Sequence, residues 1–165
     1  KNHRFLLDVF SEILKRQPES ILLLCGRGEL EKQLKFQAQE LGIDQSVQFL
    51  GVRDDIPKVL SAVDVFLFPS LSEGLGLAVV EAQSSGLPCI VSTGVPNSVK
   101  IREQTEFLDL SLGANKWASE AIKALSECDA STRDKAFINA QVAGFDIKDS
   151  ANWLYKLYLS HYRPS

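Results

Sequence analysis

The stretch DVFLFPSLSEGLGLAVVEAQSSGLPCIVS, residues 64–92, decides the fold. It opens on a continuous apolar run, DVFLFPS (64–70), and closes on another, PCIVS (88–92). Neither run alternates apolar with polar residues, so each reads as a strand buried on both faces, the habit of parallel sheets. Between them a Gly-containing loop leads into a helix over 76–85, and Gly86 supplies the residue that stops it. Two strands joined through a helix form a crossover unit, which is what parallel pairing requires.

The same alternation continues outward in both directions. Asn2 is placed to cap a first helix, in which Phe5, Val9 and Ile13, with Leu6, Phe10 and Leu14, recur at helical spacing until Pro18 ends it. SILLLCG (20–26) is a short apolar strand ending in Gly. A helix over 29–41 follows, with Leu30, Leu34, Ala38 and Leu41 on one face and Gly42 after its last turn. VQFLG (47–51) is the next strand, and DDIPKVLSAV (54–63) is a short helix with a capping Asp and Pro in its first turn. Downstream, EFLDL (106–110) reads as a fifth short strand, and helices fill 115–127, 131–143 and 147–161. Asp146 is the expected cap of the last helix, which carries Ile147, Ala151, Leu154, Leu157 and Tyr158. This order predicts an α/β fold with a doubly wound parallel sheet, one domain over residues 1–165.

Composition fits that size. The 165 residues are 45% hydrophobic and 24% charged, enough for one sizeable core. A net charge of −3 argues against nucleic acid or an anionic membrane as the main partner, since both need a basic face. Cys25, Cys89 and Cys128 are odd in number and contain no C-x-x-C, so neither a disulfide framework nor a zinc site is expected. Cys25 and Cys89 lie in apolar runs and read as small hydrophobes. His3 and His161 stand near opposite ends of the chain and suggest no catalytic pair. Trp117 and Trp153 read as core or interface residues. No run approaches the ~20 apolar residues of a membrane span, and no signal peptide opens the chain, so a cytoplasmic location is expected. A chain that starts at Lys1 and contains no Met reads as part of something longer.

The opening stretch also carries two acids, Glu73 and Glu81. Ligands of such sheets bind beyond the carboxyl ends of the strands, where the loop 70–77 lies. Gly74 and Gly76 let backbone approach a ligand closely, and the unpaired first-turn amides of the following helix, with its dipole, make an anion site. Such a site is worth about 0.3–1 kcal/mol per charge when exposed and up to ~2 when partly buried. Helical side chains lean toward the N-terminus, so Glu81 can reach back toward the same crevice. An ionised carboxylate only accepts hydrogen bonds and suits the paired hydroxyls of a ribose. An anion site flanked by two hydroxyl-reading acids matches a sugar nucleotide. The blander reading makes Glu73 a dipole-complementing first-turn acid and Glu81 a solvated face residue. Ala78, Val79, Val80 and Ala82 suggest a largely buried helix, where an unpaired Glu81 would be costly.

Beyond these residues, the pattern resembles glycosyltransferase family 4, the retaining enzymes of GT-B fold, whose hallmark is two glutamates in an E-x7-E arrangement. Glu73 and Glu81 fit it. KNHRFLLDVF (1–10) resembles the first helix of the family's C-terminal, donor-binding domain. LLLCGRGELEKQLKFQAQELGI (22–43) is similar to its next strand, turn and helix, and VQFLGVRDDIPKVLSAVDVFLFPS (47–70) continues the match. GFDIKDSANWLYKLY (144–158) is similar to the end of polysaccharide-type members.

The resemblance implies a Rossmann-like domain, the C-terminal half of a GT-B fold, that binds a nucleoside-diphosphate sugar. It implies that Lys1 meets phosphate, Glu81 the ribose and Glu73 the donor sugar, Lys1 and Glu73 being the catalytic candidates. By the same matching, Gly74, Leu75, Gly76 and Leu77 offer backbone amides to the diphosphate and sugar. Val52 and Arg53 line the base pocket, and Gly26 and Gly28 form a turn beside the cleft. The parent enzyme is expected to transfer a hexose to an acceptor glycan or lipid-linked glycan in surface polysaccharide biosynthesis, such as capsule, with no cofactor and no metal. It is expected in the cytoplasm, at the inner face of the membrane, with any membrane association made through an N-terminal acceptor domain. That domain, and the first strand of the donor domain, would precede residue 1, so residues 1–165 alone are expected to be inactive. Where many members carry Gly-Gly and Pro-Glu after the fourth strand, TGVPNSVKI (93–101) stands here. In this fold the last helix packs across the interdomain cleft, so its apolar face, with Trp153, is expected to lie open in residues 1–165 and to promote self-association.

A dinucleotide-binding dehydrogenase needs G-x-G-x-x-G, but Glu31 stands where the third Gly belongs after Gly26 and Gly28. No P-loop and no D-x-D motif occurs. A sugar-nucleotide epimerase of GT-B architecture and a non-catalytic nucleotide-binding module remain open.

Overall fold

The structure is a computed structural model, and it describes residues 1–127 and 136–161. In chain order the elements are α1 (His3–Leu14), β1 (Leu22–Cys25), α2 (Glu31–Glu40), β2 (Val47–Gly51), α3 (Ile56–Ser61) and β3 (Phe66–Phe68). Then come α4 (Leu77–Ser84), β4 (Cys89–Ser92), β5 (Thr105–Leu108), α5 (Gly113–Glu127), α6 (Ala136–Ala140) and α7 (Ile147–His161). Cys128 and the first part of the helix expected over 131–143 lie outside the described residues.

All the strand pairs are parallel, as the unbroken apolar runs require. They form two ladders, β1–β2 and β3–β4–β5, rather than one continuous sheet. β1 pairs with β2 on one side only, and β3 with β4 on one side only. The strand residues divide between two cores by alternation. In β4, Ile90 packs into a cluster with α1, α2 and α5, while Cys89 and Val91 pack into a second cluster with α4. Leu67 and Leu108 face the first cluster, and Phe66, Phe68 and Phe107 the second. Successive strand side chains point to opposite faces, so helices cover both sides of the sheet, and the doubly wound expectation holds.

Several expected devices are present. Gly42 (φ 67°) and Gly86 (φ 83°) follow α2 and α4 in the left-handed region. The amides beyond them, of Ile43 and Leu87, return to the carbonyls of Ala38 and Ala82, the 6→1 bond of a Schellman motif. Asp146 caps α7, accepting the Lys148 amide at 2.8 Å. Two caps fail. Asn2 sits before α1 but adopts φ 59° and makes no side-chain cap bond. Asp55 precedes α3, yet its carboxylate is occupied by Arg53 instead.

Trp117 is fully buried, edge-on to Phe5, and donates its indole N–H to the Asp109 carbonyl at 3.1 Å. The polar tip is thereby satisfied while the ring fills the core. Trp153 behaves differently, because α7 has no buried residue. Ile147, Trp153, Tyr155 and Tyr158 are all exposed. Cys89 is buried, and burial pushes its thiol pKa far up. Cys25 corrects the expectation of a buried hydrophobe: it closes β1 and is exposed, because the ladder ends there and the chain turns at Gly26 (φ 116°).

Candidate functional site

Two groups of sequence-selected residues stand at the carboxyl ends of the strands. The first surrounds the end of β3. Phe68 closes that strand, and the Lys1 ammonium lies 4.9 Å from its ring centroid, an ordinary cation–π distance. Lys1 Nζ also donates to Glu73 Oε1 at 2.5 Å. Ser70 Oγ donates to the same oxygen at 2.6 Å, so one carboxylate oxygen takes two bonds. The Glu73 side chain is only 13% exposed against 51% for Lys1. Burial pushes the Glu73 carboxyl pKa up, but the bonds from Lys1 and Ser70 outweigh it and hold it below the usual carboxylate value.

After Glu73 the chain runs through Gly74 and Leu75, both exposed, to Gly76 at the N-cap of α4. Gly76 has φ 86°, and a side chain built there would meet Val95 Cγ1 at 3.0 Å. Left-handed backbone and lack of space both call for glycine. Leu77 is exposed, while Val79, Val80, Ala82 and Gln83 are buried. The helix is therefore nearly apolar around its circumference, as expected, with Glu81 as an exception.

Glu81 is exposed and, among the described residues, makes no side-chain hydrogen bond or ion pair. This overturns the argument that burial makes its charge costly. Buried neighbours on adjacent helix positions do not bury a residue whose own direction, 100° away, faces solvent. A free carboxylate on the α4 surface remains available to a ligand.

The second group stands at the ends of β1 and β2. The Gly26 amide donates to Gly51 O at 2.7 Å, tying the two strand ends together. Beside them a cleft of about 720 Å3 is lined by Arg27, Gly28, Glu29, Glu31, Phe49, Leu50 and Gly51. Val52 is exposed at its margin. Arg53 is held by a two-pronged bond to Asp55, Nε to Oδ1 and Nη2 to Oδ2, both 2.8 Å. The pair raises the Arg53 pKa and lowers that of Asp55. The described contacts thus bring Lys1 and Glu73 together ahead of the loop 74–77, and Gly26 and Gly28 beside Gly51, which Val52 and Arg53 follow in the chain, with no direct bond between the two groups among the described residues.

Sequence reasoning passed over Ser70, Phe68, Ser92 and Gly94, all of which shape the first group. Ser70 and Phe68 could have been found from their places at the end of the strand before Glu73. Among the described residues no group of three or more His, Cys, Asp or Glu is placed to hold a metal ion, and no helix is long and apolar enough to cross a membrane.

A family described as Glycosyl transferases group 1 matches residues 1–141. The chain is 31% identical over 163 residues to the UDP-Gal:alpha-D-GlcNAc-diphosphoundecaprenol alpha-1,3-galactosyltransferase of Escherichia coli, covering 96% of this chain and 42% of that protein. It is 31% identical over 170 residues to the D-inositol 3-phosphate glycosyltransferase of Corynebacterium jeikeium (strain K411), covering 96% and 40%. Anabaena HepE in complex with UDP-glucose superposes with a TM-score of 0.74 at 24% identity, over 98% of this chain and 46% of that one. The pneumococcal O-GlcNAc transferase GtfA in complex with UDP and GlcNAc gives 0.77 at 23%, over 97% and 33%. These superpositions bear on the fold. The chain spans about two fifths of the length of the two curated relatives.

Proposed function

The chain belongs to the glycosyl transferases group 1 family, and from that premise we propose that residues 1–165 are the nucleotide-sugar-binding part of a retaining hexosyltransferase. The donor is a UDP-hexose and the acceptor a lipid-linked or polysaccharide glycan at the cytoplasmic face of the membrane; the UDP-sugar and the diphosphoundecaprenol-linked acceptor named for the Escherichia coli relative support this. The observation that carries the reading is the cluster of Lys1, Glu73 and Ser70 beside the N-terminus of α4, which Gly76 opens. A cation and helix amides beside one another suit a diphosphate, and they stabilise the charge it gains on leaving. Glu73 then positions the donor sugar, and Glu81, unpartnered on the same helix, accepts the ribose hydroxyls. The open hollow lined by Arg27, Gly28, Glu29, Glu31 and Phe49–Gly51, which Val52 and Arg53 follow in the chain, takes the base. No step needs a metal or cofactor, because Lys1 and the helix dipole supply the positive field.

A further parallel strand, contributed by polypeptide leading into Lys1, belongs between β1 and β3. β4, flanked on both sides, is buried at all four positions, whereas Leu22, Leu23, Phe66 and Leu67 are only partly buried. Leu22, Val65 and Leu67 pack against the same core cluster. Lys1 lies against Phe68, where a strand in that slot would release the chain. Strand, α1 and β1 would then make the usual right-handed crossover. The acceptor-binding domain would precede that strand.

The test is a titration of UDP, GDP and ADP followed by backbone amide NMR shifts, on the wild type and on Glu81→Ala. UDP is expected to shift the Gly74–Leu77 amides, and the substitution to weaken binding at least tenfold. Stability should change by no more than about 0.5 kcal/mol, since the side chain is exposed and unpartnered. Equal UDP affinity in both proteins would refute the role of Glu81. Silence of the 74–77 amides toward all three nucleotides, both in residues 1–165 and in a longer polypeptide carrying the residues that lead into Lys1, would refute the donor site.

A further inference from the structure

We infer that Ser92, Gly94 and Val95, at the end of β4, are positioning residues that cast the loop 70–76 into its donor-binding shape without touching the donor; the inference rests on the reading of that loop proposed above. The segment holds the loop at successive points. The buried Ser92 hydroxyl donates to the carbonyl of Ser70. The Glu73 amide donates to the Gly94 carbonyl at 3.1 Å. Val95, buried, packs its Cγ1 where a side chain on Gly76 would stand.

Gly94 is the tightest of these contacts. A Cβ added there would lie 2.3 Å from the Leu71 carbonyl oxygen and 2.9 Å from that of Ser70. These are backbone atoms, so no rotamer change can relieve the clash. Gly94 φ is not in the left-handed region, and the requirement for glycine comes from this close approach alone. A side chain at 94 must push the 70–73 backbone away from β4, and with it the carboxylate of Glu73 and the amides that follow.

The segment is itself held from behind. The Thr93 amide donates to Leu108 O at the end of β5, fixing one side. On the other, Gln83 of α4 bonds Val99 O and the amides of Ile101 and Arg102. The connection between β4 and β5 is thus pinned both to the sheet and to the helix that the loop enters. This frame holds the loop from outside, in addition to the Ser70–Glu73 bond within it, whereas Gly74 has nothing within 4 Å of where a Cβ would stand.

The experiment compares the wild-type chain with Gly94→Ala and Ser92→Ala. Fold is monitored by thermal unfolding and by amide exchange in β4 and β5, the loop by exchange of the Glu73 amide, and binding by the UDP titration. In variants that keep β4 and β5 protected, the Glu73 amide is expected to exchange at least tenfold faster and UDP to bind at least tenfold more weakly. Should Gly94→Ala fail to fold, Ser92→Ala, which adds no atoms, decides alone. A folded variant with wild-type UDP affinity would overturn the inference, as would weakened binding with an unchanged Glu73 amide. If the wild type ignores UDP both in residues 1–165 and in the longer polypeptide, the donor-site reading fails, and the casting of the loop stands or falls on the Glu73 amide.

Discussion

Gln83 offers the sharpest test of how this domain is held together. It is fully buried on α4 and uses its whole amide. Nε2 donates to Val79 O at 3.2 Å and Val99 O at 2.8 Å, and Oε1 accepts from the Ile101 and Arg102 amides at 3.0 and 3.1 Å and from Thr105 Oγ1 at 2.7 Å. Replacing it with Met keeps length and approximate volume but removes every polar partner. The Thr105 hydroxyl can rotate toward another acceptor, and Val79 O keeps its helical bond, so neither counts fully. Two backbone amides and the Val99 carbonyl are stranded. Ile101 is partly exposed and can reach water, which leaves two groups unsatisfied, the Arg102 amide and the Val99 carbonyl.

At about 1–3 kcal/mol for each of the two stranded groups, Gln83→Met should cost roughly 2–6 kcal/mol. Against a typical total of about 5–15 kcal/mol that is a large fraction. Urea unfolding is the assay. With a slope of about 2 kcal/mol per molar, the midpoint should fall by roughly 1–3 M with the slope unchanged. Thr105→Val, which removes one of the three donors to Oε1, should cost only about 1 kcal/mol. The double variant should cost less than the sum, because both act through one network. A Gln83→Met loss under about 1 kcal/mol would mean that the 99–105 segment finds other partners and is not fixed by α4.

Two further outcomes are expected. The edges of β1 and β3 that face the proposed slot should exchange their amides rapidly in residues 1–165 and slowly in a longer polypeptide carrying the residues that lead into Lys1; equal rates in both would remove the inserted strand. The Glu73 carboxyl is held below its usual value of about 4.5, so its interactions stabilise the fold above that pH and are lost as pH falls through the depressed folded value. The stability gap between wild type and Glu73→Gln should be flat near neutrality and shrink in acid, and a gap independent of pH would show that Lys1 and Ser70 do not favour the charged form.

The strand–helix order was legible because it rests on local signals. Unbroken runs such as CIVS mark buried strands, and Gly42 and Gly86 end helices by a backbone need that sequence displays directly. What escaped was whatever depends on tertiary direction. Nothing in AVVEAQ tells that Glu81 turns outward while Gln83, two residues on, turns inward to bind a distant connection. Nor does a helix start reveal that Asp55 spends its carboxylate on Arg53 rather than on the cap. Cys25 looked buried because its run is apolar, yet position within the run decided the matter. The split into two ladders had no local signal either, since an open strand edge is defined by which strand stands beside it.

The pairing of Lys1 with Glu73 bears on how a donor could be received. Each satisfies the other, with Ser70 sharing the carboxylate. An ion pair with one partner half exposed is worth little, about 0–1 kcal/mol, because water and salt screen it. A diphosphate arriving at the N-terminus of α4 would compete for Lys1 with stronger charge-assisted bonds. Surrendering Lys1 would then cost the chain little, while Ser70 would keep Glu73 in place. The carboxylate would lose one donor as the hydroxyls of the donor sugar arrive to replace it. On the proposed reading, one acid therefore serves in turn as a holder for the phosphate-binding cation and as an acceptor for the sugar. That double duty would suit a carboxylate only 13% exposed, on a loop against which the end of β4 packs closely.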